Sequence, residues 1–252
     1  DYQKWKKSPH SGANGGIYHR PGNLAAQARA ELDGMRLAPE LEKFFLYKPE
    51  VALFYSPTSI LQNRQYTARL HSAYQNFCYT GRRVRTLSEK QLASDAFGKT
   101  RLLFLRGATH VSRAAREGMA RFVRQGGRII ADQESLRFDE FGNPAAVEFP
   151  IERCDDFSPE VLTKRIDETI PPLPFRLAGE SNGAPADLFF RAVPAGDGSW
   201  LVSVINHATF STIQAKLSGD GEWFDLIREQ KTTPEMTLGP LENRLLRFTP
   251  AK

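Results

Sequence analysis

The alternation of short apolar runs with helical patterns between residues 50 and 132 constrains the fold of this chain more than any other feature. The runs read VALFYS (51–56), RRVRTLS (82–88), RLLFLRG (101–107) and GRIIAD (127–132). Apolar residues with a helical period lie between the first two runs, over about 60–77, and again after Ser112, a favoured N-cap residue. Strands that alternate with helices at this rhythm are typical of βαβ units. We therefore predict a parallel sheet with right-handed connections.

The pattern changes in the last third of the chain. Ser158-Pro159-Glu160 predicts the start of a helix, because serine is a favoured N-cap and proline is tolerated at the first helical position. The helix should end before PPLPF (171–175), where we place a domain boundary. The runs beyond it are separated by turns such as PAGDG and SGDG, and they read DLFFRAV, SWLVSVIN, STIQAKL, EWFDLI and NRLLRF. Short strands with Asp-Gly turns predict an antiparallel sheet or a small β-sandwich.

The first 48 residues show neither the alternation of strands and helices nor the succession of short strands. Residues 1–22 have no clear period and predict a strand stub followed by a loop. Asn23 is the predicted N-cap of a helix with one apolar face, and Pro39 predicts a break or a new start. The apolar face consists of Leu24, Ala28, Leu32, Met35 and Ala38. The predicted domains are 1–48 (strand stub, loop and helix), 49–174 (parallel sheet) and 175–252 (β-sandwich).

The glycine pair Gly126-Gly127 is a candidate phosphate-binding loop. Such a loop needs glycines after a strand and before a helix, so that the helix N-terminus faces the phosphate. Here a helical pattern comes first and the GRIIAD strand follows. A helix C-terminus repels anions, so the pair is predicted to be a structural turn.

Positive charge is concentrated between Arg82 and Arg128, which hold twelve Lys and Arg against three acids in a chain of net charge +5. This concentration indicates either a nucleic-acid surface, or a solvated face or a face that meets another domain or subunit. The arginines are spread singly, without interleaved aromatic residues, so we favour the latter and predict no nucleic-acid partner. No run approaches the ~18 apolar residues of a membrane span, so no membrane contact is predicted.

The sequence also lacks a visible catalytic or metal-binding set. A class I amidotransferase needs a cysteine on a sharp turn after a central strand, with a histidine partner. GRIIAD is instead followed by Gln133-Glu134-Ser135, while Cys78 ends a helical pattern and Cys154 falls in a predicted loop. The five histidines have no metal-ligand spacing. We predict no catalytic residue, no metal and no cofactor in this chain.

A binding crevice remains as an alternative. In open α/β sheets, ligands bind at the carboxyl ends of the strands. A stand-alone amidotransferase-like module would use the residues that follow the predicted strands for a small molecule or a partner. These residues are Ser56, Gly107, His110, Asp132 and Glu134.

Three segments together carry a resemblance to a known family. The segment WKKSPHSGANGGIYHRPGN, followed by a helix, resembles the end of the catalytic barrel in β-galactosidases of glycoside hydrolase family 42. VALFYS, RLLFLRGATHVS, FVRQGGRIIAD and FDEFG resemble that family's flavodoxin-like, amidotransferase-like domain, which is associated with trimer formation. WLVSVIN and LGPLENRLLRF resemble its small C-terminal β-domain. The fold class implied is a flavodoxin-like parallel sheet with helices on both faces, followed by an antiparallel β-sandwich.

The resemblance implies chemistry that lies outside these residues. Family members use a retaining mechanism with two glutamates ~5 Å apart, and both would precede Asp1. Among the sugar-lining residues only Trp5 has a matching position, where an indole could stack on a sugar ring. Because the chain starts at Asp1 and not at Met, we expect a fragment or a processed product. The expected role is oligomerisation, as a trimer, and shaping the rim of a carbohydrate site in the parent barrel.

Overall fold

The computed structural model describes residues 21–181, 184–185 and 188–251. The chain divides into two compact units, 1–46 and 47–252. The described part of the first unit consists of helices α1 (Pro21–Arg36) and α2 (Ala38–Leu46). Helix α1 starts at Pro21, so the prediction of Asn23 as its N-cap is wrong: proline has the helical φ already and lacks the N–H that would need a cap. The break before Pro39 is confirmed.

The apolar face predicted for the first helix is exposed in the structure. Leu32 and Met35 are 65% and 75% exposed, and Phe45 of α2 is 78% exposed. The segment is helical, as its period predicted. However, these side chains do not form part of a core within the described residues.

The second unit begins with a five-stranded, all-parallel sheet. Its strands are β1 (Val51–Tyr55), β2 (Val84–Ser88), β3 (Leu102–Leu105), β4 (Arg128–Ala131) and β5 (Glu152–Arg153). Their order in the sheet is β2-β1-β3-β4-β5, which is the flavodoxin-like order. The central strands are buried, and Leu53 of β1 lies opposite both Thr86 and Phe104. The predicted fold class is confirmed.

Helices cover both faces of this sheet. They are α3 (Pro57–Gln62), α4 (Tyr66–Phe77), α5 (Glu89–Ala93), α6 (Arg113–Arg124) and α7 (Pro159–Asp167). On one face, Leu92 of α5 and Met119 and Phe122 of α6 pack in one core cluster. On the other, Phe77 of α4 and Ile166 of α7 pack in another. Each face of the sheet therefore has its own core, as expected for strands buried on both sides.

The single helix predicted over 60–77 is two helices in the structure. Ser56 caps α3, and Asn63, which has an extended backbone, ends it. The Asn63 side chain accepts a hydrogen bond from the Gln65 N–H at 3.0 Å, which stabilises a turn before α4 begins. Asparagine competes with helical backbone bonds in this way, and the period alone does not show it. The two-residue strand β5 and the short helix α5 were also not predicted.

The rest of the unit is a β-sandwich. One sheet has the order β13-β10-β6-β7 and the other β12-β11-β14-β9-β8. The strands are β6 (Arg176–Ser181), β7 (Ala184–Pro185), β8 (Leu188–Pro194), β9 (Trp200–Asn206), β10 (Ile213–Ser218), β11 (Gly221–Asp225), β12 (Gln230–Lys231), β13 (Glu235–Leu238) and β14 (Asn243–Pro250). The SGDG turn does not close a hairpin, because β10 pairs with β6 and β13 while β11 pairs with β12 and β14.

Backbone hydrogen bonds join the sandwich to the parallel-sheet module. The Phe190 N–H donates to the Cys78 carbonyl at 3.1 Å, and the Ala192 N–H donates to the Gly81 carbonyl at 2.8 Å. Gly81 has φ +72°, and a Cβ there would lie 2.1 Å from the Phe190 ring. Only glycine therefore fits at this junction. The division at residue 175 stays a prediction, since both modules belong to one compact unit.

Candidate functional site

The residues predicted to line the crevice do come together at the carboxyl edge of the parallel sheet. The Ser56 hydroxyl lies 3.0 Å from the His110 carbonyl oxygen, and the Gly107 N–H donates to Asp132 Oδ2 at 2.7 Å. Ser56 follows β1, Gly107 and His110 follow β3, and Asp132 follows β4. Because the strands are parallel, their carboxyl ends meet at one edge, as predicted.

A buried glutamate also lies at this edge. It was not among the residues predicted from the sequence. Glu89, the first residue of α5, is 8% exposed. Its carboxylate accepts hydrogen bonds from Ser56 Oγ at 2.5 Å and from the Thr58 hydroxyl at 3.0 Å. It also accepts from the N–H groups of Thr58 and Ser112, both at 3.3 Å. The glutamate thus lies where the N-terminal ends of α3, α5 and α6 converge, and their partial positive charge favours a carboxylate there.

The capping box of α5 is the sequence signal that marks this place. Ser88 and Gln91 bond each other's backbone N–H groups, in the S-x-x-Q pattern of a helix start. The pattern predicts the helix, but it does not predict that the following glutamate would reach two other helices.

His110 is held by its neighbours rather than paired with a nucleophile. Its carbonyl oxygen accepts from the Ser59 hydroxyl at 2.6 Å, and its Nδ1 lies 2.9 Å from Thr109 Oγ1. The imidazole stacks on the Phe138 ring with 4.9 Å between centroids. Burial lowers the pKa of His110 from its usual value, and the nearby Asp139 carboxylate partly offsets this.

Asp132 has a structural set of partners. Its Oδ1 accepts from the Ser135 N–H at 2.9 Å and the Ser135 hydroxyl at 2.5 Å, while Oδ2 accepts from Gly107. The Arg106 guanidinium lies 3.8 Å from Oδ2. Asp132 is 2% exposed, so its carboxylate connects the loops after β3 and β4 and does not face solvent.

Glu134 lies at the rim and is paired with Arg69. Their side chains form a hydrogen-bonded ion pair in which the glutamate side chain is 46% exposed. Gly107 lies beside the same arginine, and a Cβ at Gly107 would approach Arg69 Cδ to 2.8 Å. The Arg69–Glu134 pair therefore lies next to Gly107 at the carboxyl edge of the sheet.

The crevice therefore holds polar groups that mainly bind one another. Both buried carboxylates, Glu89 and Asp132, accept several hydrogen bonds from the protein. Within the described residues, no three His, Cys, Asp or Glu side chains are grouped so that they could hold a metal ion. Cys78 caps the end of α4, and the Cys154 sulfur lies 3.1 Å from the Asp156 carbonyl oxygen. Cys78 follows a helix, and Cys154 lies in the connection 154–158 between β5 and α7, with several residues between it and the helix rather than on a sharp turn into it.

The remaining candidates are Trp5 and the glycine pair Gly126-Gly127. Trp5 lies outside the described residues. Gly126, with φ +89°, ends α6, and a Cβ at Gly127 would lie 2.4 Å from the Phe122 ring. The pair is the structural turn that the order of elements predicted. None of the described helices is both long and apolar enough to cross a membrane.

Comparisons with known proteins find solved structures that resemble this chain. No protein-family model matches the sequence, and no curated protein is significantly similar to it. The exo-carrageenase of glycoside hydrolase family 42 from Bacteroides ovatus matches with a TM-score of 0.83 at 12% identity, over 97% of this chain and 35% of that chain. A catalytic mutant of the family 42 β-galactosidase Gan42B from G. stearothermophilus matches with a TM-score of 0.57 at 12% identity, over 80% of this chain and 40% of that chain.

The fold is that of family 42 structures. At this level of identity the likeness shows the fold alone, and it confirms the resemblance that the sequence segments carried. The chain spans between 35% and 40% of the length of these two structures.

Proposed function

We propose that this chain is the non-catalytic C-terminal part of a family 42-like glycoside hydrolase. The observation that carries the proposal is the match to the exo-carrageenase over 97% of this chain but only 35% of that chain. A chain related to a glycosidase in this way would supply a supporting part of the enzyme.

The chemistry of the described residues is consistent with a non-catalytic role. A retaining glycosidase needs two carboxyl groups ~5 Å apart at an accessible site, one as acid/base and one as nucleophile. At the sheet edge, Glu89 and Asp132 are buried and accept hydrogen bonds from the backbone and from hydroxyl groups. Glu134 is paired with Arg69. Because these carboxylates are already bonded to other groups of the protein, they give little support to the alternative, a stand-alone binding module.

The substrate we propose for the parent enzyme is a β-galactoside or a related glycoside. Two of the similar structures are a β-galactosidase and an exo-carrageenase, which sets the class of compound to test. The chain itself would contribute to assembly, as a trimer, and to the rim of the active site.

The exposed apolar side chains of the first unit are consistent with cover by a parent barrel, whose end this unit resembles. Leu32, Met35 and Phe45 expose large apolar surfaces on α1 and α2. Such surfaces are usually covered in an assembled protein.

The decisive experiment compares the product of the complete reading frame with the chain of residues 1–252. We expect the complete product to hydrolyse aryl β-galactosides or carrageenan oligosaccharides and the 252-residue chain to be inactive. A start codon directly before Asp1, with no barrel encoded upstream, would overturn the proposal. So would hydrolysis by the 252-residue chain alone.

Light scattering of the complete product tests the assembly role. A trimer is expected for the unmodified protein. A monomer at high concentration in the unmodified protein would contradict the role in assembly.

A further inference from the structure

A groove lies beside α7, away from the carboxyl edge of the parallel sheet. It has a volume of about 610 Å³ and is lined by α7, by the segment around Tyr79–Arg82 and by strands β6 and β8. We call it the α7 groove. Its volume lies within the ~300–1,000 Å³ that small-molecule sites occupy.

The floor of the α7 groove is apolar. Leu173, Phe175, Leu188 and Phe190 line it, together with the Tyr79 ring. Phe175 and Phe190 are 3% and 8% exposed, so they are anchored in the sandwich core and present only part of their surface to the groove. An apolar floor of this kind can pack against the C–H face of a ligand.

The wall of the groove carries charges whose ion pairs are long, while the Arg82 guanidinium also donates a hydrogen bond to the Pro171 carbonyl oxygen. Asp167 lies 3.4 Å from Arg82 and 3.7 Å from Arg176, both measured from carboxylate oxygen to guanidinium nitrogen. Charge-assisted hydrogen bonds usually measure about 2.7–2.9 Å, so these pairs are long. The side chains of Arg82 and Asp167 are only 10% and 20% exposed. Among the described residues the Asp167 carboxylate contacts these two guanidinium groups alone, and part of its hydrogen-bonding capacity remains open.

The wall is close to electrically balanced. Lys164 and Glu160 also line the groove, which gives three basic side chains and two acidic ones. A compact anion such as phosphate would meet the Asp167 and Glu160 carboxylates, and a cation would meet the guanidinium groups. A neutral ligand with many hydroxyl groups can donate to a carboxylate and accept from a guanidinium at adjacent positions.

The groove is also preorganised. Its Tyr79–Arg82 side is tied to β8 by the backbone hydrogen bonds of Phe190 and Ala192, and the Tyr79 ring packs edge-on against Phe189 at 4.7 Å. A rigid groove loses little conformational entropy when a ligand binds.

We propose that the α7 groove binds a short oligosaccharide segment without cleaving it. The apolar floor takes the C–H face of a sugar ring, and Asp167, Arg176 and Lys164 bind its hydroxyl groups. This accessory site goes beyond the proposed function and needs no catalytic barrel.

Calorimetric titration of the 252-residue chain with β-1,4-galactotetraose tests this proposal. Ala178 lines the groove and is exposed, so Ala178→Trp fills the groove without removing the charges. We expect Ala178→Trp to weaken binding at least about tenfold, which corresponds to 1.4 kcal/mol. Asp167→Asn and Lys164→Ala should each weaken it severalfold.

The matched control is Thr237→Trp, an exposed position on β13 in the same sheet as β6 that does not line the groove. It should leave binding within about twofold of the unmodified chain. Thermal unfolding checks that each variant folds; if the tryptophan variant does not, the exposed Lys164→Ala decides. Absence of galactotetraose binding by the unmodified chain, binding that all groove variants leave unchanged, or competition by inorganic phosphate would each overturn the proposal. This binding test uses the 252-residue chain, and the activity test uses the complete product. A failure to bind would therefore not bear on the proposed function.

Discussion

Removal of the Glu89 carboxylate should destabilise the whole second unit. The variant Glu89→Ala removes the shared acceptor of Ser56 Oγ at 2.5 Å and the Thr58 hydroxyl at 3.0 Å. The N–H groups of Thr58 and Ser112, at 3.3 Å, also lose their acceptor. Three helix ends would then lack the anion that they share.

The magnitude follows from which of these bonds can be replaced. A hydrogen bond to a charged group contributes about 1.5–3 kcal/mol net, whereas the long N–H contacts add little. The Ser56 hydroxyl can turn to the His110 carbonyl oxygen, which lies 3.0 Å away, so part of its loss is recovered. We expect Glu89→Ala to reduce the free energy of unfolding by about 3 kcal/mol. The melting temperature should fall by about 6–12 °C, at about 2–4 °C per kcal/mol for a unit of this size.

Urea denaturation followed by circular dichroism measures this loss. Glu89→Gln keeps the shape but turns an N–H₂ group towards donors, so about half of the loss is expected. Acetate added to Glu89→Ala should raise its stability by filling the vacated place, whereas chloride should do so less. The control Glu117→Ala removes an exposed ion pair with Arg113 and should cost at most about 0.5 kcal/mol. A loss below about 0.5 kcal/mol for Glu89→Ala would refute the reasoning.

Two further substitutions and one titration test other contacts. Gly81→Ala should cost about 2–4 kcal/mol in urea denaturation, because the new Cβ meets the Phe190 ring at a positive φ; a neutral result would contradict the close approach. Arg244→Met leaves Asp225, 1% exposed, without its cation at 2.6 Å, and should cost about 3–5 kcal/mol in the same assay; an unchanged midpoint would refute this. The pKa of His110, followed by NMR, should lie below 6.5. Because the unfolded chain then binds the proton more readily, its contribution to stability is intact above about pH 6.5 and is lost as the pH falls towards its folded-state pKa; a pKa above 6.5 would be the contrary outcome.

Much of the local structure was predictable from periodicity and caps. The strands at VALFYS and RLLFLRG are four to five residues long and apolar, as buried parallel strands are. Ser112 caps α6 as predicted, with its hydroxyl accepting from the Ala115 N–H. These features depend on residues close in sequence, whose backbone preferences and side-chain period are visible in the letters.

Contacts between distant segments were less predictable. The SGDG turn has the composition of a hairpin, yet it connects two different sheets, because the partners of β10 and β11 lie far along the chain. The apolar stripe of α1 has the period of a core helix but is exposed. In both cases the local pattern is compatible with more than one tertiary arrangement.

The candidate site shows the same division. The sequence by itself determined that strand ends carrying Ser56, His110 and Asp132 belong to a parallel sheet, and hence to one edge. It also determined that Gly126-Gly127 follows a helix and so cannot cradle a phosphate. Only the tertiary structure decided that Glu89, 33 residues from Ser56, fills the space between three helix ends. The physical reason is that a buried carboxylate is stable only where several donors converge, and that convergence is a property of packing between segments rather than of any one of them.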